Sequence, residues 1–564
     1  MKKIIECVPN FSEGRNMEII QQITAEIEKI KGVKLLDVDP GFTTNRTVVT
    51  FVGTPDEVCE AAFQCIKKAQ ELIDMRVHKG DHPRFGATDV CPLVPVSNIT
   101  MEETVVYARK LSERVGKELN IPVYCYEQAA YKEEYRSLAN CRKGEYEELK
   151  DRLSNKESQP NFGPTVFNES VAKSGATAIG ARDFLVAVNY NLNTTSTRRA
   201  NAIAFDVREK GRPSREGNSI VGKIKKDADG NPIMIPGTLK ATKAIGWYIK
   251  EYGIAQVSMN LNNLSITPLH IAFDEVCRCA HNRGIRVTGC EIVGLVPKKV
   301  LINAGKYYLE KQKRSLGIPD EEIIKIAIKS MGLDDLKPFN YKEKIIEYLL
   351  EEEQKEEKLV DLSCVEFANE TSKESPAPGG GSISAYIGAL GASLGMMVAN
   401  LSAHKPGWDE QWETFSDWAV KGEQLKKDLL FLVDEDTRSF NRIIDAFGLP
   451  KTTEEEKAIR KKAIQDATKY AIEIPFKTMG KAFEVFELCK AMAQIGNPTS
   501  VSDAGVGALC IRAAVMGSYL NVKINASSLD DKAFVDEIIK KADAIIKETI
   551  KKEEEILKIV LEKL

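Results

Sequence analysis

In the first half of the chain, short runs with every second position apolar alternate with longer runs that are apolar at every third or fourth position. The first pattern predicts strands at 3–10, 33–39, 46–53, 90–97 and 121–127, and the second predicts helices at 16–30, 55–74 and 101–118. This βαββαβα order, closed by a strand, is that of a ferredoxin-like sandwich. A second copy follows: strand 184–191, helix 195–210, strands near 240–250 and 254–262, helix 267–283, strand 287–295 and helix 298–314. A connector rich in small residues, at about 160–181, joins the copies, and two such units leave a cleft between them. Beyond about 320 the strand pattern stops. Residues 341–358 read as a charged helix ending in Glu351-Glu-Glu-Gln-Lys-Glu-Glu-Lys358, a solvated linker. The remainder predicts helix after helix, broken at Lys405-Pro-Gly407, Gly448-Leu-Pro450 and Gly496-Asn-Pro498. Its last helix carries Phe534, Ile538, Ile545 and Ile556 on one seam and opens on a capping box at Ser528 and Asp531.

The expected fold class is α/β (α+β): two ferredoxin-like βαββαβ subdomains, at 1–180 and 181–335, a helical linker at 336–358 and an all-α bundle at 359–564. A chain of 564 residues is too long for one hydrophobic core, and its 43% apolar content suffices for several. The net charge of −3, from 79 basic and 82 acidic residues, gives no footprint for nucleic acid, whereas a small anion held by local arginines stays compatible. Twelve scattered cysteines without a C-x-x-C pair, and a start that turns charged after two apolar residues, point to a reducing cytoplasm. The stretch Ser375–Ala403 holds no charge and is long enough to span a membrane. Its Gly, Ala, Ser and Asn content favours a helix buried on all sides, so no membrane partner is expected.

Candidate chemistry centres on His78-Lys-Gly-Asp-His82-Pro-Arg-Phe-Gly86, which holds two of the five histidines on a turn-forming loop. A ring there exchanges protons near neutral pH. The i, i+4 histidine spacing would serve a metal only on a continuous helix, which Gly80 and Pro83 interrupt; Asp81, Asp89 and Cys91 are the only further ligands nearby, and no metal is expected. Polar residues also stand where strands end: Asn10-Phe-Ser12-Glu-Gly-Arg15, Asp37-Val-Asp39-Pro-Gly41 and Asn45-Arg46. Converging on one sheet edge, they let Asp39 support His82 while Arg46 and Arg84 clamp a carboxylate. Turn-forming Asp and Asn residues in purely structural roles are the alternative. Small residues in Asn161-Phe-Gly-Pro-Thr165 and Lys173-Ser-Gly175 let backbone amides approach a flat ligand, without the strand, glycine loop and helix order of a nucleotide site.

In the helical half, Gly379-Gly380-Gly381-Ser382 enters the neutral helix, either as an anion-binding turn or as a flexible entry; Gly388, Gly391 and Gly395 serve close packing on both views. A helix around 421–447 carries an apolar stripe of Leu425, Leu429, Leu432, Phe440, Ile443 and Phe447. Asp436 falls in the middle of that stripe and Asp434 on the far side. A carboxyl among apolar groups is a candidate acid or base, or else is held by a neighbouring Lys or Arg.

The motifs Glu6-Cys-Val-Pro-Asn-Phe-Ser-Glu-Gly-Arg15, Leu36-Asp-Val-Asp39, Asn45-Arg-Thr47, His78-Lys-Gly-Asp-His-Pro-Arg84 and Gly246-Trp-Tyr248 strongly resemble glutamate formiminotransferase. Ala377-Pro-Gly-Gly-Gly-Ser382, Leu432-Val-Asp-Glu-Asp436 and Asn521-Val-Lys-Ile-Asn525 resemble formiminotetrahydrofolate cyclodeaminase, in the order of the bifunctional family. The resemblance implies formimino transfer from N-formimino-L-glutamate to tetrahydrofolate, then cyclisation to 5,10-methenyltetrahydrofolate with release of ammonia, in histidine degradation and one-carbon metabolism. It implies His82 as base of the first step and Asp434 or Asp436 in the second. It also lays a folate segment over Gly163, Pro164, Thr165, Ser174 and Gly175, longer around Phe167–Lys173 than in animal members. The expected ligands are formiminoglutamate and a polyglutamylated tetrahydrofolate co-substrate, bound by a cytoplasmic homo-oligomer with no metal. Two alternatives keep the first half and make the helical half a methenyltetrahydrofolate cyclohydrolase or an oligomerisation module without activity.

Overall fold

Alternation along β1 (Ile4–Cys7) sends Ile5 and Cys7 into a core beneath helices and Glu6 to the opposite face of the sheet. The strand resumes after Val8-Pro9 as β2 (Asn10–Phe11), so the single strand expected at 3–10 is broken in two. The computed structural model describes residues 3–42, 45–80, 84–217, 222–353, 358–374 and 377–564. Around β1 and β2 it arranges α1 (Met17–Glu28), β3 (Val33–Gly41), β4 (Arg46–Gly53), α2 (Pro55–Leu72), β5 (Thr88–Ser97), α3 (Met101–Glu118) and β6 (Val123–Glu127). Sheet order is β3, β4, then β1 with β2, then β5, all antiparallel, which is the ferredoxin-like arrangement.

The expected connector is in fact structured. After α4 (Leu138–Cys141) and α5 (Leu149–Ser154), which precede it, the segment at 160–181 contributes α6 (Glu169–Ser174) and the strand β7 (Thr177–Ala181), which lies parallel between β5 and β6 and widens the sheet. Helices α1, α2 and α3 bury Ile23, Ile27, Ala62, Ile66, Leu111 and Val115 on one face of that sheet. On the other face, at the β5, β7 and β6 side, α4 to α6 cover Val90, Tyr124, Tyr126 and Ala178.

The second copy comprises β8 (Val186–Leu192), α7 (Thr197–Val207), a small hairpin β9 (Arg212–Pro213) with β10 (Met234–Ile235), β11 (Thr242–Ile249), β12 (Ile254–Leu261), α8 (Leu269–His281) and β13 (Val287–Val293). Its order β11-β12-β8-β13, again antiparallel, repeats the ferredoxin-like order.

Helices α9 (Lys298–Lys311), α10 (Asp320–Met331), α11 (Tyr341–Lys344) and α12 (Ile346–Glu353) follow, and here the grouping departs from the expected boundaries at 335 and 358. One unit comprises Met1–Leu301 and Met331–Gln354, the other Ile302–Ser330 and Lys355–Leu564. Residues 302–330 go with the bundle because their backbone and side chains are used there. Ser416 accepts the Leu316 N–H at 3.0 Å, Asn400 donates to Gly317 O at 2.9 Å, and Lys427 pairs with Asp320 at 2.7 Å.

The bundle consists of α13 (Cys364–Thr371), α14 (Gly380–Ala403), α15 (Trp412–Phe447), α16 (Glu454–Ile495), α17 (Val501–Ala526) and α18 (Lys532–Lys563), broken at the three expected turns. The neutral stretch is α14, packed among α15, α16 and α17. Both α14 and the segment Pro498–Ala526 are long and apolar enough to cross a membrane, but most of the α14 window is buried within the bundle. Close packing explains its glycines: a Cβ on Gly395 would stand 2.8 Å from Leu488 Cγ, and one on Gly391 2.6 Å from Ile511 Cδ1. On α18, Ile538 and Ile556 are buried and Phe534 and Ile545 pack beside them. Its N-cap is Asp531, which accepts from Phe534 N at 3.1 Å, in place of the expected Ser528 capping box.

Candidate active sites

The first site lies on the edge of the large sheet where β4, β5, β7 and β6 begin and β2 ends. A tight turn after β2 is set by Gly14, where a Cβ would strike Gly41 O and sit 2.5 Å from Arg46 N. Asn45, in the left-handed region at φ 51°, fastens three segments here. Its Oδ1 accepts the Gly14 N–H at 3.0 Å, its Nδ2 donates to Lys79 O at 2.9 Å, and its carbonyl accepts from His78 Nε2 at 2.9 Å. Burial, opposed by that Asn45 bond and aided by the Arg84 charge, lowers the His78 pKa and keeps its ring neutral.

Asn10 and Arg46 meet as expected: Asn10 Oδ1 accepts from Arg46 Nε at 2.8 Å and from Nη2. Behind them lies a carboxyl that the sequence considered only as a metal ligand. Asp89, 1% exposed, accepts the Phe85 N–H at 3.1 Å, and its Oδ2 lies 3.3 Å from Arg142 Nη1 and 3.8 Å from Arg46 Nη1. Arg142 reaches Glu145 at 2.9 Å, so two guanidiniums share two carboxylates at the edge of the site. Arg84 does not join Arg46. It donates to His78 O at 3.1 Å, pairs with Glu147 at 2.6 Å and stacks on Tyr146.

Asp39 is exposed on the edge strand β3, opposite Val48. His82 lies outside the described residues, as do Asp81 and Pro83. The segment bearing them is tied at both ends to the site, by the Asn45 bond to Lys79 O and by the Tyr146 N–H donated to Arg84 O at 2.9 Å. The expected folate segment divides. Gly163, at φ 87°, heads an exposed loop with Pro164 and Thr165 beside the start of β6. Ser174 and Gly175 are instead buried against Gly86, with Ala87 N donating to Ser174 O at 2.7 Å, and Phe167–Lys173 is largely α6.

The second site is built at the start of α14, whose N-cap Gly379 has no side-chain cap. Ser382 donates its hydroxyl to Asp436 Oδ2 at 3.1 Å and to Val433 O at 2.9 Å, and its backbone N–H also reaches the Asp436 carboxyl. A Cβ on Gly381 would occupy the space of that carboxyl, and one on Gly380 would lie 3.2 Å from Asn521 Nδ2. Burial raises the Asp436 pKa, with the Ser382 bonds opposing.

The two neighbouring acids point elsewhere, as successive helical residues must. Glu435 receives Tyr470 Oη and lies 3.1 Å from Arg438; burial would raise it, but these bonds hold it below the usual carboxylate range. Asp434 was expected on the polar side and is buried instead, at 9% exposure, because the entering chain covers it: its Oδ1 accepts the Leu359 N–H at 2.7 Å. Burial raises its pKa too. Of the stripe, Leu425, Leu429 and Leu432 are buried, whereas Phe447 is exposed. Among the described residues no three His, Cys, Asp or Glu side chains gather as metal ligands would.

Three family descriptions match in tandem: the formiminotransferase domain N-terminal subdomain over residues 4–182, the formiminotransferase domain over 187–351, and formiminotransferase-cyclodeaminase over 363–544. The formimidoyltransferase-cyclodeaminase of Gallus gallus is 42% identical over 97% of each chain. A glutamate formimidoyltransferase of Thermoplasma acidophilum is 41% identical over 54% of this chain and 92% of its own. A methenyltetrahydrofolate cyclohydrolase of Methylorubrum extorquens is 37% identical over 32% of this chain and 88% of its own.

Proposed function

The chain belongs to the formimidoyltransferase-cyclodeaminase family, and from that premise we propose which residues carry its two reactions. The enzyme transfers the formimino group of N-formimino-L-glutamate to N5 of tetrahydrofolate, releasing glutamate, and then closes the adduct to 5,10-methenyltetrahydrofolate and ammonia. In the first step N5 attacks the formimino carbon and loses its proton to a base, the bond to the glutamate nitrogen breaks, and that nitrogen takes up a proton. His82 is the base, following Lys79, whose carbonyl Asn45 holds beside Arg46 and Asn10, and Asp39 on β3 is its supporting carboxylate. Gly163, Pro164 and Thr165, on their exposed loop, flank the folate.

In the second step N10 attacks the same carbon and the formimino nitrogen departs as ammonia, which needs a proton donor. Asp436 rather than Asp434 supplies it. The supporting observation is that, of three consecutive acids, Asp436 alone faces the glycine turn at the start of α14. Burial favours its protonated form. The free amides of Gly380 and Gly381 offer an anion contact to the folate. Neither step draws on a metal. A cyclohydrolase reading of the bundle is not favoured, since the relative matched along 97% of the chain carries both activities in its name.

We further place the enzyme in cytoplasmic histidine degradation, acting on polyglutamylated folate as a homo-oligomer. An uncharged apolar stripe supports assembly: Leu390, Met397 and Leu401 on α14, and Val506, Leu509, Met516, Leu520 and Ile524 on the adjoining α17, are exposed. A Leu520→Glu protein that sediments unchanged from wild type would count against it. The reaction assignment is tested by following methenyltetrahydrofolate absorbance and ammonia together, in wild type and His82→Ala. Wild type forms both equally; the variant forms neither from formiminoglutamate but still cyclises supplied 5-formiminotetrahydrofolate. A variant that still transfers the group removes His82 from its role.

A further inference from the structure

Glu6 is a buried acid without a use so far. It is 6% exposed, yet no hydrogen bond or ion pair reaches its carboxyl among the described residues. Arg182 is close enough to act on it through space, and burial, the larger influence, raises its pKa to about 7. An unmatched carboxyl held in the middle of a sheet is costly unless something else completes it.

Strand register places Glu6 on the first site's own surface. Glu6 pairs with Val52 on β4 and Val94 on β5, and Asn10 pairs with Val48 and Val90 on the same two strands. All three strands advance by four residues between those rows, so Glu6 and Asn10 emerge on one face, about 13 Å apart. Between them the surface is floored by the half-buried Val48 and Thr50 and the buried Pro92. One strand further, Gly180 pairs with Pro92, and a Cβ there would stand 2.7 Å from the Tyr126 ring, which therefore lies over the sheet as a wall. A largely apolar strip of that face, half-buried at Val8, Val48 and Thr50 and buried at Val52, Val94 and Pro92, thus runs from a carboxyl at one end to the Asn10 and Arg46 pair at the other. Its length suits a bicyclic ring with a polar contact at each end.

We propose that Glu6 anchors the pterin ring of tetrahydrofolate, its two carboxyl oxygens accepting the ring N3–H and the 2-amino group. This rests on the functional reading above, since it assumes that folate is the transferase co-substrate. Two parallel hydrogen bonds to a carboxylate fix the plane and direction of the ring, which points N5 toward the edge where the His82 segment is anchored. Glu6 is a binding and positioning residue and takes no proton from the reaction.

The test uses the full chain, with initial rates of formimino transfer for wild type, Glu6→Gln and Glu6→Ala. Tetrahydrofolate is compared with 2-desamino-2-methyltetrahydrofolate, which lacks the amino donor. Cyclisation of supplied 5-formiminotetrahydrofolate in each preparation, and the thermal melt, serve as folding controls, and the near-isosteric Gln variant guards against collapse of the Ala variant. Glu6→Ala should raise KM for tetrahydrofolate roughly 10- to 100-fold while KM for formiminoglutamate moves less than about twofold. Wild type should disfavour the 2-desamino analogue by a similar factor, and Glu6→Ala should barely distinguish the two folates. Unchanged tetrahydrofolate KM in both variants, or full discrimination by Glu6→Ala, overturns the role of Glu6. Absence of any transfer by wild type would instead overturn the functional reading beneath it.

Discussion

Replacing Asp436 by Asn separates the chemistry of the second site from its stability. The amide keeps the size of the side chain and an oxygen for the Ser382 hydroxyl, but it holds no proton to deliver. If Asp436 protonates the departing nitrogen, kcat for cyclisation falls by about 10²- to 10⁴-fold, or about 3 to 5.5 kcal/mol of barrier. Stability should move the other way. Burial raises the folded pKa of Asp436 above its ordinary value of 3.8, so the folded state binds more protons there than the unfolded state. Stability contributed by this group is then full below the unfolded value and declines as pH rises through the folded one. At neutral pH Asp436 is a liability that Asn removes, so the melting temperature of the variant should equal or exceed that of wild type. Asp434→Asn provides the contrast in activity: its side chain accepts the Leu359 N–H away from the glycine turn, and since burial raises its pKa as well, its melting temperature should likewise equal or exceed that of wild type while cyclisation stays within a few-fold. The assay is methenyltetrahydrofolate absorbance from supplied 5-formiminotetrahydrofolate, with calorimetric melts of the same samples. Full activity in Asp436→Asn together with loss in Asp434→Asn would refute the assignment.

The same contact predicts the behaviour of Gly381→Ala. Its methyl group would enter the space of the Asp436 carboxyl, so cyclisation should fall by at least tenfold and stability by about 1 to 3 kcal/mol, while formimino transfer, measured as glutamate release, is untouched. In the first unit Asp89→Asn leaves Arg46 and Arg142 facing one another without their shared carboxylate. Breaking such a buried pair should cost about 3 to 5 kcal/mol, and urea melts of the variant should show that loss. Transfer should fail with it, because Arg46 also holds Asn10. A melt that superimposes on wild type would show that the pair carries no such load.

Alternation and helical spacing revealed both ferredoxin-like units, because Ile5 with Cys7, or Val186 with Val188, are buried by one rule that needs no knowledge of neighbours. What stayed hidden depended on pairing at a distance. Thr177–Ala181 is only five residues of small side chains, and its place between β5 and β6 comes from parallel pairing with partners more than fifty residues away, which no local pattern carries. Asp89 was visible as a residue but not as the shared partner of Arg46 and Arg142, since Arg142 reaches it from α4 and its following turn, elements with no periodic signal. Asp434 was misplaced because a helical wheel knows only its own helix, and the chain at Leu359 that covers it arrives from outside that helix.

The candidate sites follow the same division. Asn10 and Arg46 were legible as neighbours because both stand at strand ends that the fold class brings to one edge, whereas Ser382, near a helix start, and Asp436, well inside the next long helix, were each singled out but not paired. Glu6 was quoted in a motif and given no role, for it looks like one polar residue in a strand. Its meaning appears only once the register of β1 against β4 and β5 shows that it shares a face with Asn10. A polar residue that breaks the apolar side of a buried strand is therefore the sequence signal to follow. Its cost in burial free energy has to be met by a partner, and when the chain supplies none the substrate is the natural place to look.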